Sequence, residues 1–372
     1  MAAELSWAQV HAFRLGRHHL LSRAPKSHLT RVVGDIAGAQ AQLMSAAELQ
    51  IGVRADCSVQ DVRAALWKHK SLVKTWVMRG TLHLIPAEDL PLYTAAMSTR
   101  WIRINKAWLK LIHLSEPEIL KLVGEIGAAL GSTPVTREEI ITAVGKGHSP
   151  RVLEALRSGW GGMLKPAARN GLLCFGPSRG QSVTFVRPEK WLGSWSPVDP
   201  DAALVEVARR YLRAYGPALK HDFARWWGNW PGVGTAAWAG LEPELVPVSI
   251  EGTRTQMLAR DLEALAKVKT GGSVQLLPLF DPYLLGHVNR DHLYAAIHRS
   301  RVSRTSGWIS AVVLVDGRVA GTWSHTAAKQ TLRITVQPFQ RLAAMTLAEV
   351  RRRAESLAAT LSLEKAEVEV AG

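Results

Sequence analysis

The feature of this sequence that most restricts its fold is an order of elements that recurs three times along the chain. In each unit, segments with apolar residues at helical spacing precede two short strand-like segments that are joined by a glycine-containing turn. The strand-like pairs are residues 72–77 with 82–85, 172–175 with 182–186, and 245–250 with 253–258. One order repeated three times arises by chance less readily than a single motif, so the sequence predicts three related modules.

Each unit has the order of a winged helix, which is a helix-turn-helix followed by a β-ribbon. The helical segments are residues 7–21, 27–36, 46–53 and 58–68 in the first unit, 116–130, 136–144 and 149–170 in the second, and 202–215, 218–227 and a short tryptophan-rich helix in the third. We expect the modules to span 1–98, 99–196 and 197–260, with joints near Pro86, Pro197 and Pro200. Winged helices bind DNA more often than they catalyse reactions on it, so the repeat by itself predicts binding.

The last part of the chain, residues 261–372, has a different character. Strand-like segments at 273–280 and 310–315 precede Asp316-Gly317, which is a strong signal for a tight turn between two strands. The segments that follow are strands at 318–323 and 331–337, a long helix at 339–361 and a closing strand at 366–370. Mostly helical segments earlier in the sequence and mostly strands near its C-terminus predict an α+β fold. In this fold, tandem winged-helix modules precede a C-terminal portion of β-sheet and helix.

The charge of the chain favours a polyanionic partner. There are 46 Lys and Arg residues against 31 Asp and Glu residues, which gives a net charge of +15 and an isoelectric point near 10.1. In a globular composition with 47% hydrophobic residues, such an excess is typical of nucleic-acid binding. A basic proteome or a solubility effect is the alternative, because charge alone does not establish binding.

Two segments concentrate this positive charge. In one, the spacing would let three guanidinium groups contact successive phosphates; these belong to Arg299, Arg301 and Arg304. In the other, a basic helical stripe that includes Arg103 and Lys106 would face a phosphate backbone. The alternatives are a mobile cationic loop for the first segment and a solvated helix face for the second.

The sequence gives no sign of a membrane span or an oxidising compartment. The N-terminus lacks an apolar segment of the signal-peptide kind, and the longest apolar run, residues 309–315, is too short to cross a bilayer. Cys57 and Cys174 lie far apart, without Cys or His companions at metal-ligand spacing. We therefore expect reduced, structural cysteines in a cytoplasmic protein.

Most catalytic signatures are missing, which leaves amides and carboxylates as candidates. The chain has no nucleotide-binding loop of the Walker or dinucleotide type and no Ser, Cys or His nucleophile signature. Gln40 and Gln42 lie one residue apart beside Gly38, and their side chains share a face only if the chain is extended there. From the residues alone, such a pair is more often polar turn residues than a site. For Asp281, which precedes Pro282, a structural turn is favoured over a catalytic carboxylate.

A family resemblance changes the interpretation of the glutamine pair. The order of modules, the segment Gln40-Ala41-Gln42 and the segments at 76–84 and 280–286 together resemble the AlkZ-like DNA glycosylases, which are winged-helix proteins of a superfamily that also contains YcaQ. The likeness covers nearly the full length of the chain. Its most specific feature is the glutamine pair, because the YcaQ branch carries Gln-x-Asp where this chain has Gln42. The resemblance thus points to a Gln-x-Gln branch.

The resemblance implies a monofunctional glycosylase that excises alkylated purines from double-stranded DNA and leaves an abasic site. The lesions would carry positive charge from alkylation at N7 and would include bulky adducts and interstrand crosslinks, in DNA repair or in self-resistance to an alkylating agent. A cationic purine departs without a general acid. The enzyme then has to shelter an oxocarbenium-like sugar and to position water.

The site residues follow from the same resemblance. We expect Gln40 and Gln42 to hold the nucleophilic water, and we expect no metal, nucleotide or other cofactor to be required. Residues in the two longer similar segments are expected to shape the site: Arg79, His83, Asp281 and Tyr283. A second glutamine where a relative carries aspartate predicts dependence on an already activated, cationic leaving base. Since no heptad or exposed pairing strand is evident, we expect a monomer.

Two other functions stay open at the level of the sequence. A non-catalytic winged-helix protein, such as a transcriptional regulator or a lesion-shielding factor, would bind DNA without releasing a base. Three modules in one chain and the glutamine pair weigh against this alternative. A protein-interaction scaffold built on the 14 tryptophans is disfavoured because many of them, such as Trp7 and Trp67, fall on predicted core faces. Release of base from alkylated DNA separates the enzyme from both.

Overall fold

The computed structural model shows a mixed architecture of helices and sheets. The residues that it describes are 3–99, 109–110, 114–157, 161–228, 230 and 232–371. Within these residues, three sheets of three strands and one sheet of five strands pack among the helices. The α+β class predicted from the sequence is confirmed. In the part of the chain that is described, no helix is long and apolar enough to span a membrane.

The first part of the chain builds a small sheet in the order β2, β4, β3. The three strands of this sheet are β2 (Ala39–Gln40), β3 (Leu72–Trp76) and β4 (Leu82–Pro86). The first part of the chain also contains β1 (Ala3–Leu5), which belongs to another sheet. Its helices are α1 (Trp7–Arg17), α2 (Leu29–Asp35), α3 (Met44–Gly52), α4 (Val59–Trp67) and α5 (Leu90–Met97). The helix α4 begins directly after Ser58, the first residue of the segment predicted at 58–68, because the Ser58 hydroxyl accepts from the N–H of Asp61 while the Asp61 carboxylate accepts from the N–H of Ser58.

The second part places helices ahead of a sheet in the order β5, β7, β6. Its elements are α6 (Glu116–Ala129), β5 (Val135–Thr136), α7 (Arg137–Val144), α8 (Pro150–Arg157), α9 (Lys165–Arg169), β6 (Cys174–Arg179), β7 (Ser182–Val186) and α10 (Pro188–Leu192). The continuous helix predicted at 149–170 is wrong, because α8 and α9 are separate. A physical reason lies at Gly161, where φ is +66° and a Cβ would lie 2.5 Å from Cζ2 of Trp76.

The third part carries the sheet with the order β1, β8, β9. Its elements are α11 (Pro200–Tyr215), α12 (Lys220–Trp227), α13 (Val233–Leu241), β8 (Leu245–Ile250), β9 (Thr253–Leu258) and α14 (Leu262–Ala266). Both strands have the predicted bounds, since Glu251 and Gly252 turn the chain with φ angles of 46° and 83°. The strand β1 pairs in parallel with β8, with Ala3 opposite Val248, and no pattern in the sequence predicts this pairing.

The C-terminal part is a five-stranded sheet in the order β10 to β14, packed against one long helix. Its elements are β10 (Val274–Leu277), α15 (Arg299–Val302), β11 (Val312–Val315), β12 (Arg318–Ala328), β13 (Thr331–Pro338), α16 (Ala344–Thr360) and β14 (Lys365–Val370). The strand β12 is longer than the predicted 318–323, because the chain turns only at Lys329 and Gln330, both of which have positive φ. The apolar face of α16 and the sheet share one core, to which Leu357 and Ile334 belong.

The parts of the molecule share apolar cores. The largest of the described clusters includes Tyr93 of α5, Cys174 of β6 and Trp227 of α12. The division into modules at 1–98, 99–196, 197–260 and 261–372 stays a prediction, as does the winged-helix assignment of each module. The predicted basic stripe with Arg103 and Lys106 lies outside the described residues.

A buried ion pair ties the first part of the chain to the C-terminal part. Arg54, just beyond α3, and Asp281, between β10 and a 3-10 turn at Pro282–Leu284, are both fully buried. Two guanidinium N–H groups contact the two carboxylate oxygens at 2.6 and 2.8 Å. The bidentate geometry compensates both charges inside the core, so the pair holds two distant segments in one arrangement.

Breaking this pair should destabilise the fold. Asp281→Asn leaves the Arg54 guanidinium buried without a counter-ion, and we expect the free energy of unfolding in a urea titration to fall by about 3–5 kcal/mol. The matched control is Asp291→Asn, because the Asp291–Arg299 pair is exposed on both sides and should contribute less than about 1 kcal/mol. Equal losses in the two variants would contradict the role given to the buried pair.

Candidate active site

Three polar side chains form a row across the small sheet of the first part. Gln40 of β2 lies opposite His83 of β4, which in turn lies opposite Thr75 of β3, so the three share one face of the sheet. All three are buried, with exposures of 7% for Gln40, 2% for His83 and 0% for Thr75. Burying polar groups is costly unless they are hydrogen-bonded. This concentration of buried polar groups makes the face the candidate site.

The backbone before Gln40 depends on Gly38. Its φ is +99°, and a Cβ at this position would lie 3.1 Å from Cε of Met78 and 3.2 Å from Cγ2 of Ile85. Glycine therefore allows the chain to leave α2 and enter β2 close against the β3–β4 hairpin. The chain is extended at Ala39–Gln40, whereas Gln42, the second residue of the predicted pair, lies beyond this strand in a bend.

The two glutamines differ in their surroundings. Gln40 is buried in β2, whereas Gln42 is exposed in the bend that precedes α3. Within the described chain, the Gln42 side chain makes no hydrogen bond to protein. The pair therefore consists of one amide that the fold holds and one amide that is open to a ligand.

Arg79 connects Gln40 to a neighbouring helix from the turn between β3 and β4. Its φ of 56° lies in the left-handed region, and its guanidinium donates to the backbone oxygen of Trp226 at 2.8 Å. A second nitrogen of the same group lies 3.4 Å from Oε1 of Gln40 and 3.3 Å from Nε2 of His83. Burial lowers the pKa of Arg79 to about 10, which leaves the guanidinium charged at neutral pH.

His83 is a neutral acceptor in this arrangement. Its Nδ1 lies 3.0 Å from the backbone oxygen of Thr81, which can only accept, so the proton is on Nδ1 and Nε2 accepts from Arg79. Burial, and then the charge of Arg79, lowers the pKa of His83 to about 3. The imidazole thus orients Arg79 and is not available as a cationic acid near neutral pH.

Gln50 of α3 is a residue of the site that the sequence analysis did not identify. Its fully buried side chain donates from Nε2 to the backbone oxygen of Gln40 at 3.1 Å and to that of Leu279 at 2.9 Å. Its own backbone oxygen accepts from Arg54 at 2.8 Å, the residue that pairs with Asp281. The one available signal was an amide within a run of α3 that is otherwise mostly apolar.

Asp281 is connected to Gln40 through Arg54 and Gln50, whereas the Tyr283 hydroxyl forms its hydrogen bond elsewhere. Asp281 caps the 3-10 turn at Pro282–Leu284 by accepting from the N–H of Tyr283 at 3.0 Å, so the turn expected there is present. The Tyr283 hydroxyl donates to the backbone oxygen of Gly317 at 3.2 Å, and burial raises the pKa of this phenol. Within the described residues, neither side chain is hydrogen-bonded to the glutamine pair.

The three arginines that were expected to contact phosphates differ in how far their side chains are engaged by other protein groups. Arg299 is ion-paired with Asp291 at 3.1 Å. The guanidinium of Arg301 lies over the ring of Phe339, 4.7 Å from its centre. Arg304 is exposed, and its side chain has no hydrogen-bond or ionic partner within the described part of the chain. Of the three, Arg304 is the one most open to a phosphate.

Comparisons with known proteins agree with the resemblance seen in the sequence. The model of the family "DNA glycosylase AlkZ-like" matches residues 33–360. An interstrand DNA cross-link repair glycosylase of Streptomyces sahachiroi is 37% identical over 325 residues, which cover 86% of this chain and 87% of that protein. The solved structure of DNA glycosylase AlkZ from Streptomyces sahachiroi has a TM-score of 0.89 and 34% identity, with 100% of both chains covered. This chain therefore belongs to the family of AlkZ-like DNA glycosylases.

Proposed function

We propose that this DNA glycosylase hydrolyses the N-glycosidic bond of purines that are alkylated at N7, leaving an abasic site in double-stranded DNA. The observation that carries the proposal is the buried amide of Gln40, held by Arg79 two residues before the exposed amide of Gln42. The name of the relative, an interstrand cross-link repair glycosylase, supports the inclusion of bulky and crosslinked adducts. Family membership favours an enzyme over a regulator, a lesion-shielding factor or a scaffold.

The chemistry asked of the protein is limited because the substrate is already activated. Alkylation at N7 makes the purine cationic, so cleavage of the bond releases a neutral base and leaves the positive charge on the sugar. Departure of the base needs no proton from the enzyme, whereas the sugar cation needs shelter and an attacking water. A His83 whose pKa is about 3 is compatible with this division, because it supplies no acid at neutral pH.

The glutamine pair offers both roles that a bound water needs. A side-chain amide has two N–H donors and one carbonyl acceptor. Arg79 donates to the carbonyl of Gln40, which leaves the Gln40 NH₂ group to donate to the water oxygen. The Gln42 carbonyl accepts a hydrogen bond from the water, so that a lone pair of the water oxygen points toward C1′ of the sugar. When the water adds to the sugar cation, its proton passes to solvent. We therefore assign the nucleophilic water to this pair.

The uncharged pair also suggests which leaving bases the enzyme accepts. Two amides stabilise a sugar cation less than an amide and a carboxylate would, because a carboxylate adds a full negative charge. We infer that the positive charge of the lesion supplies much of the driving force, as expected for a Gln-x-Gln branch. The proposed setting is a cytoplasmic monomer without metal or cofactor, acting in DNA repair or in protection against an alkylating agent.

A duplex with a single 7-alkylguanine tests this function. After incubation with the protein, alkali converts abasic sites to strand breaks, and chromatography identifies the released base. We expect one free 7-alkylguanine for each break. The rate should be flat between about pH 6 and pH 8, because His83 and Arg79 titrate near 3 and 10. Tight binding to the duplex without release of base would contradict the proposal and support a shielding factor.

The salt dependence of DNA binding tests the role of the arginine segment. Arg304→Ala should lower the slope of log affinity against log salt by about one unit, because one phosphate contact and its released counterion are lost. Arg299→Ala is the matched control. The ion pair of Arg299 with Asp291 should make its effect on the slope smaller. An unchanged slope in Arg304→Ala would show that this segment is simply solvated.

A further inference from the structure

Arg79 is a charged group in the site that has only uncharged partners. Its guanidinium contacts the backbone oxygen of Trp226, Oε1 of Gln40 and Nε2 of His83 at 2.8, 3.4 and 3.3 Å. Within the described residues, no Asp or Glu forms an ion pair with it. A guanidinium has five N–H groups, and these contacts use three of them. Because Arg79 is only partly buried, two N–H groups are left for a ligand.

Two more arginines lie near Arg79. Arg225 directly precedes Trp226, the residue whose carbonyl accepts from Arg79, and is exposed on α12. Arg290 lies two residues after Val288, whose N–H donates to the carboxylate of Asp222 on the same helix at 2.9 Å, and its guanidinium donates to the hydroxyl of Ser303 at 3.0 Å. Neither forms an ion pair with a carboxylate of the described chain. Burial, and then the positive charges of Arg290 and Arg225, lower the pKa of Arg79, as expected for three cations that lie close together.

The contrast with Arg54 shows how unusual this arrangement is for a purely structural role. Arg54 is buried, and Asp281 compensates its charge through two short contacts. Three arginines without carboxylates repel one another in the unbound protein, which costs free energy. An anion that binds among them removes this repulsion. The DNA substrate carries such an anion at every nucleotide.

We propose that Arg79, together with Arg225 and Arg290, binds a phosphodiester of the lesion strand next to the alkylated nucleotide. The inference rests on the proposed function, because it places this phosphate beside the water-holding glutamine pair. The planar fork of an arginine matches two phosphate oxygens with parallel N–H bonds. The phosphates on the 5′ and 3′ sides of the lesion are the anionic groups closest to its sugar.

The bound phosphate also resolves an electrostatic conflict in the site. Arg79 is within hydrogen-bonding distance of Gln40, so its positive charge opposes the sugar cation that develops there. A phosphate on Arg79 neutralises that charge locally. The guanidinium then keeps the Gln40 carbonyl in place without an electrostatic penalty. Arg79 thus links contact with the DNA backbone to orientation of the catalytic amide.

Uncharged phosphate analogues test the proposal. In duplexes with a 7-alkylguanine, a methylphosphonate replaces the 5′ or the 3′ flanking phosphate, which removes one charge and little of the shape. With the unsubstituted protein, one of these replacements should slow single-turnover excision by roughly tenfold or more. A methylphosphonate several nucleotides away should have little effect. Arg79→Met should excise more slowly from the natural duplex and should show a clearly smaller rate ratio between the natural and the substituted duplex, because the planar contact is lost while Arg225 and Arg290 remain.

The controls separate this inference from the function on which it rests. Arg304→Met removes a cation from another segment and should keep the full sensitivity to the analogue. The proposal is overturned if Arg79→Met stays as sensitive as the unsubstituted protein, or if the unsubstituted protein is insensitive at both flanking phosphates. If the proposed function is wrong, the result is different, because no base is then released from any of the duplexes.

If Arg79→Met fails to fold, a second variant still tests whether Arg79 binds the phosphate. Thermal unfolding identifies such a defect, and Arg79→Lys then carries the test, because it keeps the charge and loses the planar fork. We expect the rate ratio between the natural and the substituted duplex to shrink in Arg79→Lys. An unchanged ratio would overturn the assignment of the phosphate to Arg79.

Discussion

A buried chain of hydrogen bonds between the first and last parts of the molecule determines where Gln40 lies. Asp281 holds Arg54, Arg54 donates to the backbone of Gln50, and the Gln50 side chain donates to the carbonyls of Gln40 and Leu279. The side chains of Asp281, Arg54 and Gln50 are all buried. Loss of one of these hydrogen bonds therefore leaves a polar group without a partner and without water. The position of the proposed catalytic amide therefore depends on residues outside the glutamine pair itself.

The site combines groups that the fold has already oriented with groups that are free to bind. Gln40 and His83 are buried and hydrogen-bonded. Gln42 is exposed, and Arg79 has two N–H groups that are not used in the described contacts. Oriented dipoles need little reorganisation when a water or a substrate arrives. The described residues place no carboxylate in hydrogen-bond contact with the glutamine pair. We expect a site of this kind to depend on the positive charge of its substrate, in line with the proposed preference for cationic purines.

Local signals in the sequence predicted local structure, whereas contacts between distant segments left little trace. The hairpin of β8 and β9 has its predicted bounds because the turn residues Glu251-Gly252 specify it. The family resemblance, rather than the spacing of residues, identified Gln40 and Gln42 as the candidate water-binding pair. That the first is buried and the second exposed depends on the packing of α3 and the β3–β4 hairpin around them. No local pattern connected Gln50 with Gln40, and none indicated the parallel pairing of β1 with β8.

The single-turnover rate of base excision by glutamine variants shows whether Gln40 and Gln42 hold the nucleophilic water. Gln40→Ala and Gln42→Ala should each slow excision of 7-alkylguanine by roughly 100-fold, while DNA affinity stays within a few fold. The double variant should lose little more than either single variant, because both amides hold one water. Gln60→Ala, at an exposed position of α4, is the control and should keep the full rate. Full single-turnover activity in the double variant would contradict the account.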